Sequence, residues 1–215
     1  MIISKIEEFT KNRSKVYIDQ EFAFVLYKGE LRLFGIKEDA ELSDENYHKI
    51  LTEILPKRAK MRAMNLLQSR DYTRSGLADK LRQGLYPETV IEEALDYVAS
   101  YRYIDDVRYA KSYIHYNHER KSRRIIEQDL QRKGVSKLDV ERAWCEWKEE
   151  GNGQDEEELI LRLLEKKKYS QVCGDAKERQ KVYAFLMRKG FSGDTVNRAM
   201  KRYENGQYTD DFYLT

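Results

Sequence analysis

The chain has 215 residues, with 40 Lys/Arg against 38 Asp/Glu, three histidines, two cysteines and two prolines. That length supports one or two domains with real cores, and a charged fraction of 36% with only two prolines favours many well-solvated helices. Two cysteines cannot build a disulfide framework, no apolar run reaches the ~20 residues that span a bilayer, and Met1-Ile2-Ile3-Ser4 lacks the layout of a secretory signal, so a soluble cytoplasmic protein is expected.

The first stretch, residues 1–36, is rich in β-branched and aromatic residues. Runs from Ile2 to Phe9, Lys15 to Ile18 and Glu21 to Leu26 are separated by Lys11-Asn12-Arg13-Ser14 and by Asp19-Gln20. This pattern predicts a small antiparallel β-hairpin extension over 1–42 with a tight turn at Asp19-Gln20. So few strands are marginal alone and need helices or another partner to pack on. Leu31 to Phe34 reads equally as a strand or as a helical turn. Ser43-Asp44 starts a connecting helix over 43–56, with Tyr47, Ile50, Leu51, Ile54 and Leu55 at helical spacing, until Pro56 interrupts it and opens the next helix.

From there the chain writes one pattern three times. Leu130-Gln131-Arg132-Lys133-Gly134-Val135 is followed by Val140 and Ala143; Leu186-Met187-Arg188-Lys189-Gly190-Phe191 is followed by Val196 and Ala199 at identical offsets. A looser copy runs Leu81, Tyr86, Ile91 and Ala94, and the two steps between copies are 49 and 56 residues. Recurrence at this period marks an array of small supersecondary units. Within a copy, one helix ends in Arg-Lys, which suits the negative end of its dipole, and a glycine supplies the left-handed turn. A serine, Ser136 or Ser192, then caps the next helix. In the first copy Leu85 stands at the glycine position with Gly84 one residue early. A shifted turn is expected there, with Pro87 as the first residue of the next helix.

The expected fold is mainly α: an elongated array of three tandem three-helix repeats, at 57–104, 105–150 and 155–204, with a small N-terminal β element and a frayed polar tail at 205–215. Thr73 caps the helix carrying Leu77 and Leu81, and Asp105 caps the one carrying Val107, Ala110 and Ile114. Gly151-Asn152-Gly153 is the linker to the third repeat, and a longer connection, Tyr169 to Asp175, accounts for the larger second step.

Charge is unevenly placed. Residues 1–56 carry a balance of −3, residues 57–134 of +6 and residues 135–215 of −1. A local basic excess of this kind suits an anionic partner. Arg58, Arg62, Arg70 and Arg74 group around one helix of the first repeat. Lys121, Arg123 and Arg124 crowd a helix start, where the dipole disfavours cations, and Arg132 lies at that helix's other end. These eight are the candidate contacts to a protein or nucleic-acid partner. His115 and His118 have no third ligand nearby, so no metal site is expected. Asp105-Asp106 is explained by capping, and no paired base or nucleophile accompanies it. Tyr113, Trp144 and Trp147 read as packing residues. No phosphate loop or nucleophile elbow occurs, so neither a catalytic site nor a cofactor is expected.

The chain resembles the RecX family of bacterial recombinase regulators. The resemblance is carried by Arg70 with Thr73-Arg74-Ser75 before Leu77 and Leu81, by Tyr103-Ile104-Asp105-Asp106 with Arg108-Tyr109-Ala110, and by Arg124 to Leu130 with Arg132-Lys133-Gly134. Ile3 to Phe24 is similar to a β extension found in some members, so the match covers nearly the whole chain. It implies a non-enzymatic, monomeric modulator that binds the RecA–DNA filament, contacting RecA, DNA or both, and no membrane. Members resemble curved rods of three-helix repeats lying in the filament groove, where they suppress strand exchange, ATP turnover and co-protease activity and so tune DNA repair and the SOS response. The alternative is a helix-turn-helix-like DNA-binding protein acting without RecA.

Overall fold

The structure is a computed structural model that describes residues 1–206; the expected frayed tail lies, but for its first two residues, outside the described residues. The chain divides into two compact units, Met1–Asp105 and Asp106–Thr215.

The first unit begins with a three-stranded antiparallel meander in the order β1-β2-β3: β1 Ile3–Thr10, β2 Arg13–Ile18 and β3 Glu21–Tyr27. Asp19 and Gln20 both take positive φ (48° and 74°), as the tight turn between β2 and β3 requires. Alternate side chains of β2, Ser14, Val16 and Ile18, are buried. Leu31 to Phe34 resolves as helix: α1 spans Lys28–Leu33. Ser43 then caps α2, Asp44–Lys49, by accepting the Asn46 N–H.

Pro56 does not break the following helix. The backbone widens to a π turn over Ile50–Ile54, where the Leu55 N–H donates to the Ile50 carbonyl, and α3 continues over Leu55–Ser69. A proline ring collides with the carbonyl four residues back, and one inserted residue moves that carbonyl aside, so the helix absorbs Pro56 instead of ending. Thr73 caps α4, Arg74–Arg82, and α5 spans Glu88–Ser100. Pro87 is the cap residue of α5, one place before the position expected from the sequence.

Sheet and helices share one core. Val16, Phe24 and Leu26 pack with Ile50, Ala59, Ala63, Leu77, Leu81, Ile91, Ala94, Leu95 and Val98. The sheet thereby gains the apolar support that three short strands lack in isolation.

The second unit repeats the helical trio with separate cores. The first trio has α6 Asp106–Asn117, α7 Arg123–Arg132 and α8 Lys137–Glu149, around Ala110, Ile114, Ile126, Leu130, Val140, Ala143, Trp144 and Trp147. Next come α9 Glu156–Lys166, α10 Ala176–Arg188 and α11 Gly193–Glu204, around Ile160, Leu161, Leu164, Leu186, Phe191, Val196 and Ala199. Ser122, Ser136 and Ser192 each accept an N–H three residues on. The longer connection before α10 inserts Tyr169 into this core, and its hydroxyl donates to Glu204 Oε1 at 2.6 Å.

The turn between the repeated helices is the same in all three trios. Gly134 and Gly190 have φ of 81° and 87°, and Leu85 adopts 59° at the equivalent place. The N–H of each donates to the carbonyl three residues back: Gln131, Met187 and Arg82. The expected shift in the first copy therefore does not occur; the leucine bears the left-handed conformation itself. Gly84 has another reason to be glycine: a Cβ there would lie 2.9 Å from the Tyr86 ring and 3.1 Å from the Leu81 carbonyl.

A candidate polyanion-binding site

On α3, Arg58 and Arg62 lie four residues apart and so on one face. The fold places opposite them the β1–β2 turn and the last turn of α4. The cleft so formed encloses about 670 Å³ and is lined by Lys11, Arg13, Arg58, Arg62 and Lys80, with Asn12, Asn65 and Gln83 among its amides and Tyr27 and Tyr86 among its rings; among the described residues no carboxylate lines it.

Arg58 is held firmly. Its Nη1 donates to Glu30 Oε2 at 2.9 Å and to the Val25 carbonyl at 3.1 Å, and its guanidinium lies 4.5 Å from the Tyr27 ring centre and 5.7 Å from that of Tyr86. Its Nε is buried with no hydrogen-bond partner. The other four cations are looser. Arg13 Nε donates to Thr10 Oγ1 at 3.3 Å and Lys80 Nζ to Gln83 Oε1 at 3.2 Å. Among the described residues, none of Lys11, Arg13, Arg62 and Lys80 forms an ion pair with a carboxylate.

The remaining sequence candidates fall into two kinds. Arg70 is exposed and lies over the Tyr72 ring at 4.5 Å, and Arg124 is exposed; among the described residues neither pairs with a carboxylate. Arg74, by contrast, reaches Glu92 at 2.6 Å and Asp96 at 2.7 Å, and hydrogen bonding to Asp96 raises its pKa. Lys121 and Arg132 share Asp129, at 2.8 and 2.7 Å, and the Tyr113 hydroxyl donates to the same carboxylate at 3.1 Å. Hydrogen bonding to Lys121 lowers the Asp129 pKa and that to Asp129 raises the Lys121 pKa. Arg123 pairs with Glu127 at 2.7 Å and lies over Trp144.

The cation-rich start of α7 is also offset by a distant acid, because the Arg123 N–H donates to Glu156 Oε1 at 2.7 Å. That carboxylate supplies the negative charge a helix N-terminus favours.

Lys11, Arg13 and Lys80 were not among the sequence candidates. Lys11-Asn12-Arg13 has the composition of an ordinary turn, and a lysine in the last turn of a helix is explained by its dipole. Only their convergence on Arg58 and Arg62 gives them a shared surface.

Three family models match in sequence: the first, second and third three-helix domains of RecX, at residues 59–97, 105–143 and 155–200. The Regulatory protein RecX of Caldanaerobacter subterraneus subsp. tengcongensis is 31% identical over 202 residues, covering 93% of this chain and 98% of the relative. The chain belongs to the RecX family. The Regulatory protein RecX of Clostridioides difficile is 28% identical over 210 residues, covering 95% of this chain and 96% of the relative. A crystal structure of a regulatory protein RecX superposes with a TM-score of 0.63 at 28% identity, covering 93% of this chain and 98% of that one. RecX from Lactobacillus salivarius shares the fold, with a TM-score of 0.61 over 70% of this chain and 97% of that one. As a RecX family member the chain carries its three-helix domains and a small N-terminal sheet, and no helix among the described residues is long and apolar enough to cross a membrane.

Proposed function

We propose that this RecX family member is a non-enzymatic, monomeric regulator that binds the RecA–DNA filament and slows its strand exchange, ATP turnover and co-protease activity. The observation that carries the reading is the set of exposed arginines, Arg62, Arg70 and Arg124, which have no carboxylate partner among the described residues, in a chain that matches RecX regulators along nearly its whole length. Arg58 and Arg74 in the first unit, and Lys121, Arg123 and Arg132 in the second, add further cations. Most of their ion pairs are solvent-exposed and worth about 0–1 kcal/mol each, so exchanging an internal carboxylate for one on a partner costs little. Modest contacts repeated along a polymer sum through effective concentration, which suits successive similar domains.

The test is titration of the full chain into RecA filaments on single-stranded DNA while ATP turnover is followed. A dose-dependent slowing is expected, and Arg62→Glu with Arg124→Glu should shift the titration to higher concentration. A rate that stays constant over a wide titration overturns the reading.

A further inference from the structure

We propose that the cleft between the β1–β2 turn and the α3–α4 pair holds the phosphodiester backbone of a single-stranded nucleic acid, making the N-terminal sheet part of the contact surface. This deepens the regulator reading, and rests on it for the source of the strand.

Folding gathers five cations from three separate stretches, at positions 11–13, 58–62 and 80, with no carboxylate among the described residues of the lining. Among the described residues, Arg58 alone of the five has an ion-pair partner, Glu30. Like charges within a screening length of about 8 Å repel one another, and an anion lying among them removes that cost. The neutral lining fits the same ligand: Asn12, Asn65, Gln83 and Thr10 carry the amide and hydroxyl groups that bond phosphate oxygens.

Arg58 is fixed by Glu30, the Val25 carbonyl and two tyrosine rings, so it need not be ordered when a ligand arrives. Tyr27 is 43% exposed and lines the cleft, and basic grooves with aromatic side chains are the kind of site that holds single strands. A concave cleft of this size falls within the about 300–1,000 Å³ of ligand pockets, whereas duplex is read by elements that project into its grooves.

The test uses the full-length protein and a fluorescein-labelled oligothymidylate, with binding followed by anisotropy between about 50 and about 200 mM salt. The variant carries Lys11→Ala, Arg13→Ala, Arg62→Ala and Lys80→Ala. A control carries Lys137→Ala, Lys148→Ala, Lys177→Ala and Lys201→Ala, which removes the same charge from exposed positions elsewhere. Circular dichroism confirms the fold of both, and Arg62→Ala alone replaces the quadruple variant if that one unfolds.

The cleft variant should bind at least about tenfold more weakly than the control at low salt. The slope of log affinity against log salt should fall by about 0.7 for each phosphate contact removed. Equal losses in variant and control, or wild-type binding by the cleft variant, overturn the proposal. So does displacement of the oligonucleotide by tripolyphosphate at equal phosphate concentration, or by polyglutamate at equal charge, because the cleft then reads free phosphate or acidic protein. ATP turnover by RecA is measured separately with the same proteins. A wild type that leaves RecA unaffected sinks the regulator reading alone, and the oligonucleotide data decide the cleft.

Discussion

At the scale of single residues, two positive-φ glycines with different surroundings separate backbone strain from steric fit. Gly151 has φ +83° with nothing within 4 Å of a Cβ built on it; Gly190 has φ +87°, and its Cβ would lie 2.6 Å from Ser122 Oγ and 2.8 Å from Ile125 Cγ1. Gly151→Ala is expected to cost about 1 kcal/mol, the left-handed penalty alone. Gly190→Ala should cost about 3 kcal/mol, because overpacking adds to that penalty. Urea unfolding of the two variants measures the difference, and equal losses would show that the contact with Ser122 is unimportant.

Asp129 gives a prediction in pH. Its pKa in the folded protein is lowered from an ordinary value of 3.8, chiefly through hydrogen bonding to Lys121. A lowered carboxylate pKa stabilises the fold above the ordinary value and loses that contribution as pH falls through the folded value. Asp129→Asn should therefore cost about 1 kcal/mol at neutral pH, and the gap from wild type should close as pH falls from the ordinary value of 3.8 through the lower folded value. Stability followed from neutral to acid pH checks the sign; a gap that widens on acidification would contradict it.

At the scale of elements, helix starts and ends follow local chemistry closely. Thr73, Ser136 and Ser192 cap as expected from the sequence, and Ser122 caps α7 in the same way, because a cap needs only an oxygen three residues before an unpaired N–H. Ser122 does more than that. It is fully buried, and its hydroxyl also donates to the Lys189 carbonyl at 2.8 Å, tying the start of α7 to the turn after α10. The Gln154 side chain reinforces this joint by donating to the His118 and Lys121 carbonyls at 2.8 and 2.7 Å. Ser136→Ala removes a cap and should cost about 1 kcal/mol, whereas Ser122→Ala removes a cap and a buried bond and should cost about 2 kcal/mol. Thermal unfolding of the pair tests this ranking.

Two element-scale features departed from local expectation for local reasons of another kind. The widened turn at Ile50–Ile54 lets a helix run through Pro56, and propensity alone assigns a break there. Leu85 takes the left-handed turn because core positions on both sides of it, Leu81 and Val90, are fixed in the same trio. The packing of those neighbours outweighs a backbone cost of about 1–2 kcal/mol.

At the scale of the whole molecule, each helical trio closes its own core, while the N-terminal sheet joins the core of the first trio. The sheet is thus built into the first unit, where its β1–β2 turn completes the cationic cleft. The internal salt links of Arg74, Lys121, Arg123 and Arg132 imply a salt effect on stability far smaller than that on partner binding. Raising salt from about 50 to about 200 mM should change Tm only slightly, since exposed pairs contribute about 0–1 kcal/mol each, while association with an anionic polymer should weaken steeply. Melting curves and filament-binding titrations at the same salt concentrations separate the two.

The sequence by itself determined the helical trios, their repeat, their caps and the turns at Gly134 and Gly190. All of these depend on residues within a few positions of one another, and helical periodicity writes buried faces directly into the chain. It also marked the region of positive charge, because a count needs no coordinates. Only the tertiary structure decided which cations are spent on internal carboxylates and which have none among the described residues. It alone brought Lys11, Arg13 and Lys80 to Arg58 and Arg62, and the Gly190 turn to Ser122. Long charged side chains pair with whatever folding sets beside them, as Arg58 does with Glu30, 28 residues away along the chain, and the Ser122 bond to the Lys189 carbonyl spans 67, beyond the reach of any local pattern.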